Sequence, residues 1–437
     1  MRLLFLSNLY PPHGQGGYEE WCQEVATQLY ARGHELMVLT SRHSSDDRET
    51  TDPFWVRREL HLEMELVSLR NGIQFFTHRR QHERENLATL RSYVQRFRPE
   101  AIVVWGMWNI ARSVPVLAEQ LLPGRVIYYI GDYWPALPSQ FEYYWKAPAQ
   151  YWYTQLPKAM LGIAANYILA QETLSKPRFE RVLFPTIFMR NELVKRGMKP
   201  EESLIIYGAA DTTPYLRPGT GASVRPEGNG ESNKTTLLYA GRIRSDKGVH
   251  LAIKALARLV QDYKVQDIEL LIAGSGEHDY ITFLEYLVRR HHLEAYVTFL
   301  GPQPKEAMPA LYRRADIFLF TSVWQEPFGR VLIEAMATGV AVVGSAVGGV
   351  TEILLDNETA LTYPPGDVEK LAAQVARLIR SPELRQQLAT VGRRIALERF
   401  DIQRMVTEIE GYLSQLIGPV AALEANYRQL DIGQVSR

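Results

Sequence analysis

Thr321 to Glu352 reads TSVWQEPFGRVLIEAMATGVAVVGSAVGGVTE. It follows the apolar run Ile317-Phe318-Leu319-Phe320, short enough to be a buried parallel strand. A loop with Glu326, Pro327 and Gly329 comes next, then a helical pattern from Arg330 to Thr338 that Gly339 stops. Ala341-Val342-Val343 is a second strand, and Gly344, Gly348 and Gly349 break the chain before a helix expected near Thr351. Two carboxylates stand out: Glu326 in the loop at a strand's carboxyl end, and Glu334 about one turn into the helix. Phe328 and Gly329 bring backbone N–H groups to that helix's start. A helix N-terminus with a close-approaching glycine suits an anion, and open α/β sheets bind ligands at the carboxyl ends of their strands. Carboxylates beside it suit sugar hydroxyls rather than phosphate. The stretch therefore fits a phosphate flanked by two polyols, although a surface Glu and a solvated helix Glu would look the same in isolation.

The whole run resembles the signature of retaining GT-B glycosyltransferases of family 4. Their E-x7-E stands as Glu326 and Glu334, their E-A-M-A-x-G as Glu334 to Gly339, and their G-G-x-x-E as Gly348 to Glu352. A second matching motif, G-R-x-x-x-x-K-G, occupies Gly241 to Gly248 after the strand Leu237–Ala240. A third, the G-x-G-x-E turn, is Gly274-Ser275-Gly276-Glu277 after the strand Ile268–Ala273. The likeness is dense from Leu237 to Gly366 and thinner before Asp211. It implies an α/β chain of GT-B architecture, two Rossmann-like domains facing across a cleft. The boundaries that follow are residues 1–212 for an acceptor-side domain, 213–234 for a linker and 235–400 for the nucleotide-sugar domain. Residues 401–437 would be C-terminal helices returning to the first domain.

The site roles come from the resemblance too. Arg242 and Lys247 would reach the donor diphosphate, with Glu326 holding donor sugar hydroxyls and Glu334 the ribose. Gly241, Gly274, Gly276, Glu277, Phe328, Gly329 and Arg330 would lie along the donor. Gly16 and Gly17 match the family's glycine loop after the first strand. No metal or other cofactor is expected, because the chain has no Asp-x-Asp to hold a divalent ion on a UDP-sugar or GDP-sugar. One departure is plain: many relatives carry His-Asp after a strand of the first domain, and here Gly131 precedes Asp132.

Composition bounds the rest. A chain of 437 residues is long for one core. Formal net charge is zero, so nothing argues for nucleic acid. A single cysteine, Cys22, rules out a disulfide within the chain and fits a reducing, cytoplasmic compartment. No apolar run is long enough to span a membrane.

The first half begins as strand Met1–Leu9, loop Tyr10–Gly17, helix Glu19–Arg32 and strand Leu36–Leu39. Gly14, Gly16 and Gly17 suggest a dinucleotide loop, but the second strand runs into Thr40-Ser41-Arg42 with no acid for a ribose, which argues against a dehydrogenase. Further strands fall at Ala101–Trp105, Val126–Ile130, Val182–Phe184 and Leu204–Ile206. Tyr207 to Asp211 reads as the turn closing the domain. Arg57 to Arg98 holds nine Arg against five Glu, and Tyr128 to Tyr153 packs eleven aromatics into 26 residues. Aromatics with polar tips stack on sugars, pack cores or sit at membrane interfaces. The segment also carries Pro135, Pro138 and Pro148, and an ordered irregular insertion is expected. Asp132, Tyr133 and Trp134 are the acceptor-side candidates. The acceptor reads as a sugar or lipid-linked hydroxyl, with peripheral contact at the inner face of a membrane held open. Oligomeric state is not readable. A nucleotide-sugar epimerase and a non-catalytic nucleotide-sugar-binding protein remain alternatives. A phosphorylase lacks any motif for its cofactor lysine.

Overall fold

The computed structural model describes residues 1–13, 16–42, 52–65, 71–149, 152–171, 176–216 and 234–418. Gly14, most of the linker expected over residues 213–234 and the tail beyond Gly418 lie outside these residues. The chain forms two compact units, Met1–Ile206 with the segment from Val406, and Tyr207–Met405.

Among the described residues seven strands build the first unit: β1 (Arg2–Ser7), β2 (Glu35–Ser41), β3 (Trp55–Leu60), β4 (Ala101–Val104), β5 (Val126–Tyr129), β6 (Arg181–Phe184) and β7 (Glu202–Ile205). They lie parallel in the order β3-β2-β1-β4-β5-β6-β7. Leu3 to Leu6 are all fully buried, as a central strand covered on both faces requires. β3 escapes a reading by hydrophobic pattern. Its sequence WVRREL carries three charges, which an edge strand tolerates and which also protect it from pairing with another chain.

The irregular insertion expected over Tyr128–Tyr153 is corrected in part. Ser139 and Glu142 form a reciprocal capping box that starts a helix at Gln140–Lys146. A 17-residue helix, Gln155–Gln171, follows a single 3-10 turn at Trp152–Thr154. Both pack with the helix Asn71–Thr77 around Phe75, Phe141, Trp145, Ala165 and Leu169.

The second unit has β8 (Thr235–Ala240), β9 (Ile268–Ala273), β10 (Val297–Gly301), β11 (Ile317–Phe320), β12 (Ala341–Ser345) and β13 (Leu361–Tyr363). These too are parallel, in the order β10-β9-β8-β11-β12-β13. Leu256 from the helix Val249–Gln261 and Val375 from the helix Val368–Arg380 meet Ile272, Leu319 and Val343 in one core. The helix expected near Thr351 is instead a 3-10 turn, Gly348–Glu352.

The turn Tyr207–Asp211 belongs to the second unit. Ala210 N–H donates to Phe400 O at 3.0 Å, Ile402 N–H donates to Ala210 O at 3.0 Å, and the Thr212 hydroxyl donates to Asp401 at 2.5 Å. From Val406 the final helix, Ile402–Ile417, packs with the first unit, where Glu410 pairs with Arg32 and His34, each at 2.7 Å.

Hydrogen bonding between β8 and β9 continues past the strands into their loops. Gly241 N–H donates to Ala273 O at 3.0 Å and Ile243 N–H to Ser275 O at 2.7 Å. Side chains have no room there: a Cβ on Gly274 (φ +145°) would lie 1.8 Å from Gly241 O, and one on Gly276 2.0 Å from Ile243 O. Gly274→Ala should therefore destabilise the protein by about 2–4 kcal/mol, a backbone strain and a main-chain clash combined. Urea denaturation measures it; a midpoint unchanged from wild type would contradict this account of the loop.

Candidate active site

In the second unit the loops after β8 and β11 are stitched together by main-chain contacts. Val323 N–H donates to Asp246 O at 2.9 Å, Trp324 N–H to the same oxygen at 3.2 Å, and the Thr321 hydroxyl to Lys247 O at 2.9 Å. Gly248 makes the approach possible: it has φ +68°, and a Cβ there would meet Thr321 O at 2.1 Å. The stitching brings Lys247 against Glu326, and the two form an ion pair with side chains only 16% and 13% exposed. The Ser322 hydroxyl donates to the same Glu326 oxygen at 2.8 Å.

A second contact fixes Glu326 from the other side. Gly349 N–H donates to Glu326 O at 2.7 Å, and Gln325 Oε1 accepts from Gly348 N–H at 2.9 Å. Gly348 has φ +54°, and a Cβ on it would stand 2.4 Å from Glu326 O. The paired glycines thus seat one loop's backbone on another's.

The helix Arg330–Thr338 starts just beyond, after Gly329 at φ +128°. It has no side-chain cap and no acid in its first turn, so its N-terminal partial charge has no carboxylate of that turn to meet. Phe328 is buried and packs edge-on to Phe400 at 5.8 Å. Glu334 accepts a hydrogen bond from the buried Tyr312 hydroxyl at 3.0 Å. Glu334 and Arg330 border a cavity of about 400 Å³ with Asp211, Tyr215, Lys305 and Arg313. Arg242 is exposed, its carbonyl held by the Tyr239 hydroxyl at 2.8 Å, and Glu277 is exposed at the start of the helix His278–Arg290.

Within one unit the structure therefore gathers Lys247, Glu326 and the Phe328–Arg330 helix start, with Glu334 and its cavity on the same helix. Ser322, Tyr312, Lys305 and Arg313 were missed by sequence reading. Tyr312 lies 22 residues before Glu334 on another helix, so no local spacing announces it.

In the first unit, Gly16 precedes the helix Gly17–Ala31 in extended backbone (φ −178°), and a Cβ there would meet nothing closer than 3.9 Å. Glu19 and Glu20 already occupy that helix's first turn, so it is a poorer anion site than the one at Arg330. At Gly131 a Cβ would lie 2.9 Å from the Tyr18 ring and 3.3 Å from Trp21, and a Cβ at Gly106 would lie 3.0 Å from Tyr18. The Tyr18 ring thus fills the slot between two glycines at the ends of β4 and β5, with its hydroxyl donating to Tyr129 O. Space that a larger side chain would claim at position 131 is taken by Tyr18.

Tyr133 and Trp134 require a correction. They are 6% and 1% exposed: Trp134 packs on Phe179 at 5.6 Å, and the Arg196 guanidinium covers the Tyr133 ring at 4.8 Å. Neither ring is open to stack on a sugar. Asp132 accepts from Trp134 N–H at 3.0 Å; burial, with a smaller contribution from the Glu19 charge, pushes its carboxyl up to about 7. Glu63, accepting from Gln140 N–H at 2.8 Å, is likewise pushed up to about 7 by burial. It lines a cavity of about 920 Å³ in this unit. Arg112, also in that lining, spends its guanidinium on the Trp134, Pro135 and Leu137 carbonyls.

A family model described as glycosyltransferase family 4 matches residues 15–213, and one described as glycosyl transferases group 1 matches residues 223–395. Over 214 residues the chain is 31% identical to N-acetyl-alpha-D-glucosaminyl L-malate synthase of Bacillus anthracis, a match covering 49% of this chain. It spans about half (54%) the length of that relative. It is 27% identical to glycogen synthase of Mycobacterium tuberculosis over 93% of both chains. Among solved structures, Anabaena HepE in complex with UDP superposes with a TM-score of 0.67 at 20% identity, over 95% of this chain and all of that one. That last likeness shows the fold.

Both elevated carboxyls set a sign for pH. Their folded pKa values lie above the ordinary carboxylate range, so the stability they contribute is full below about pH 4 and is lost as pH rises through about 7. Asp132→Asn should flatten the fall in unfolding temperature between pH 5 and pH 8. A variant that tracks wild type across that range would show that Asp132 ionises without cost.

Proposed function

Because the chain belongs to the group 1, family 4 glycosyltransferases of GT-B fold, we propose that it moves a hexose from a nucleoside-diphosphate sugar to an acceptor hydroxyl with retained anomeric configuration. The observation that carries this reading is the stitched loop pair that sets Lys247, Glu326 and an uncapped helix start together at the carboxyl ends of β8 and β11. Negative charge develops on the leaving diphosphate, and Arg242, Lys247 and the Phe328–Arg330 N-terminus supply positive potential for it. Glu334, oriented by Tyr312, holds the ribose hydroxyls, and Glu326 holds hydroxyls of the donor sugar. The bond from the anomeric carbon to the phosphate oxygen breaks while the acceptor oxygen bonds to the same carbon from the same face. The acceptor proton goes to the leaving phosphate, so no protein base is assigned. UDP is the first nucleotide to test, since a solved structure of like fold carries it; GDP is the other. The acceptor is a sugar or lipid-linked hydroxyl recognised by the first unit.

A second reading, nucleotide-sugar binding without turnover, draws on the Gly131 slot filled by Tyr18. Donor hydrolysis, or transfer in an acceptor screen, separates the two: turnover sustains the first, and tight donor binding with neither reaction sustains the second.

Two further outcomes are expected. Activity should survive EDTA, since cationic side chains and a helix dipole replace a metal; a strict need for added Mn²⁺ or Mg²⁺ would remove this assignment of roles. In calorimetry, Glu334→Ala should weaken UDP about tenfold or more, the loss of one charged hydrogen-bond partner. Glu326→Ala should depress turnover far more than UDP affinity. It also frees Lys247 from its partner, so a small gain in UDP affinity is compatible with the scheme and a tenfold loss is not.

A further inference from the structure

The cavity of about 920 Å³ in the first unit is lined by none of the residues assigned above to donor or acceptor. β3 reaches it with residues 61–63 at its carboxyl end, and the segments before β6 and β7 reach it with residues 176–179 and 196–199. Hydrogen bonds already fix its walls. The buried Asn86 side chain accepts from His61 N–H at 2.7 Å and donates to His61 O at 2.9 Å, and the Ser113 hydroxyl donates to Glu83 at 2.5 Å. A preformed pocket loses little freedom on binding, and this one is large for a small-molecule site. Its charge is uneven. Glu63 and Glu83 lie close enough to Arg79 and Arg112 for the four charges to balance. Elsewhere β6 and β7 begin side by side, Glu202 N–H donating to Glu180 O at 2.8 Å, so the segments carrying Lys176 and Lys199 approach together. Neither lysine makes an ion pair or hydrogen bond among the described residues. The acids of these segments are taken: Glu180 by Arg178 at 3.4 Å and Arg181 at 3.7 Å, Glu192 by Arg196 at 2.8 Å, and Glu202 by Arg181 at 3.5 Å. Glu201 does not line the cavity, and Glu119 accepts from Arg178 N–H and Phe179 N–H at 3.0 and 3.1 Å.

We propose that this cavity binds a phosphorylated sugar, its phosphate on Lys176 and Lys199 and its hydroxyls on the carboxyl and guanidinium groups around Glu63. Two ammonium groups without a protein partner suit a phosphomonoester dianion. A ligand anionic throughout would meet Glu63 and Glu83, and a neutral sugar would leave both lysines unused. Hydroxyls both donate and accept, as a balanced set of carboxyl and guanidinium groups requires of its ligand. Glu63, pushed up to about 7 by burial, is part protonated near neutrality and can itself donate to a hydroxyl. The volume leaves room for two sugar rings.

Calorimetry on the full chain tests this with three probes: trehalose 6-phosphate, trehalose and inorganic phosphate. UDP is present throughout, so that a phosphate probe does not report the anion site of the second unit. Trehalose 6-phosphate should bind, and each of the other two should bind about tenfold more weakly or worse. Lys176→Ala and Lys199→Ala combined should weaken trehalose 6-phosphate by about tenfold or more. Both lysines are exposed, so the fold tolerates the change. UDP affinity of the double variant should equal that of wild type, which keeps this outcome apart from the fate of the transferase reading. No binding of trehalose 6-phosphate at about 1 mM would overturn the site. Equal affinity in the double variant would overturn its location. Trehalose binding as tightly as its phosphate would overturn the phosphate contact, and inorganic phosphate doing so would overturn the sugar contact.

Discussion

The close approach of the Asp246–Gly248 backbone to Thr321–Trp324 is the constraint on which the second unit's chemistry depends. β8 and β11 are neighbours in a parallel sheet, so the loops at their carboxyl ends emerge side by side. Three hydrogen bonds and one glycine without room for a Cβ then lock those loops at main-chain distance. A main chain held this way fixes Cα positions far more firmly than side-chain packing does. Lys247 and Glu326 inherit that placement, 79 residues apart in sequence and paired in space. The ion pair itself contributes little net stability, since desolvating two charges offsets most of their attraction. Its consequence is orientation: each side chain fixes the position of the other.

Electrostatics divide the two helix starts that the glycines mark. The Gly17 helix has Glu19 and Glu20 in its first turn, so its positive end is already answered. The Arg330 helix has neither an acid in that turn nor a cap, and Lys247 lies beside Glu326 four residues before it. A dipole near +0.5 charge and a lysine are both drawn toward one anion. Glu334, one turn further in, does not cancel that field. Its bond to the Tyr312 hydroxyl holds the carboxylate against a neighbouring helix. The same helix thus carries a partly positive end and, one turn on, a carboxylate.

Parallel strands were legible because burial on both faces leaves a continuous apolar run, as in Ile317–Phe320 and Ala341–Val343. β3 was not, because an edge strand carries charge where a central one cannot. The two carboxylates and the lysine were found by motif spacing, which is local. What orients them is not local: Ser322 is four residues from Glu326, but Tyr312 reaches Glu334 from another helix and Gly348 reaches Glu326 from another loop. Glycines in a sequence mark that something comes close; at Gly274 the atom standing where a Cβ would go is Gly241 O. Tyr133 and Trp134 misled for the complementary reason. Sitting at a strand's end is compatible with facing a site or with lining the core, and only the positions of Phe179 and Arg196 separate the two.

The aromatic segment shows how one composition meets opposite fates. Tyr128, Tyr129 and Trp134 are at most 1% exposed, whereas Trp152 and Tyr153, about twenty residues on, stand in solvent. The difference lies in what the backbone offers. β5 is central, covered on both faces, and its aromatics complete a core that includes Phe5 and Trp105. The helices after it rest on one side only, on a cluster of six buried residues that absorbs Trp145 and Leu169 and has no place for the opposite stripe. A helix apolar all round is ordinarily a buried helix. Here only Gly162, Ala165 and Leu169 are buried, and Leu156, Met160, Ile163 and Tyr167 stay in water.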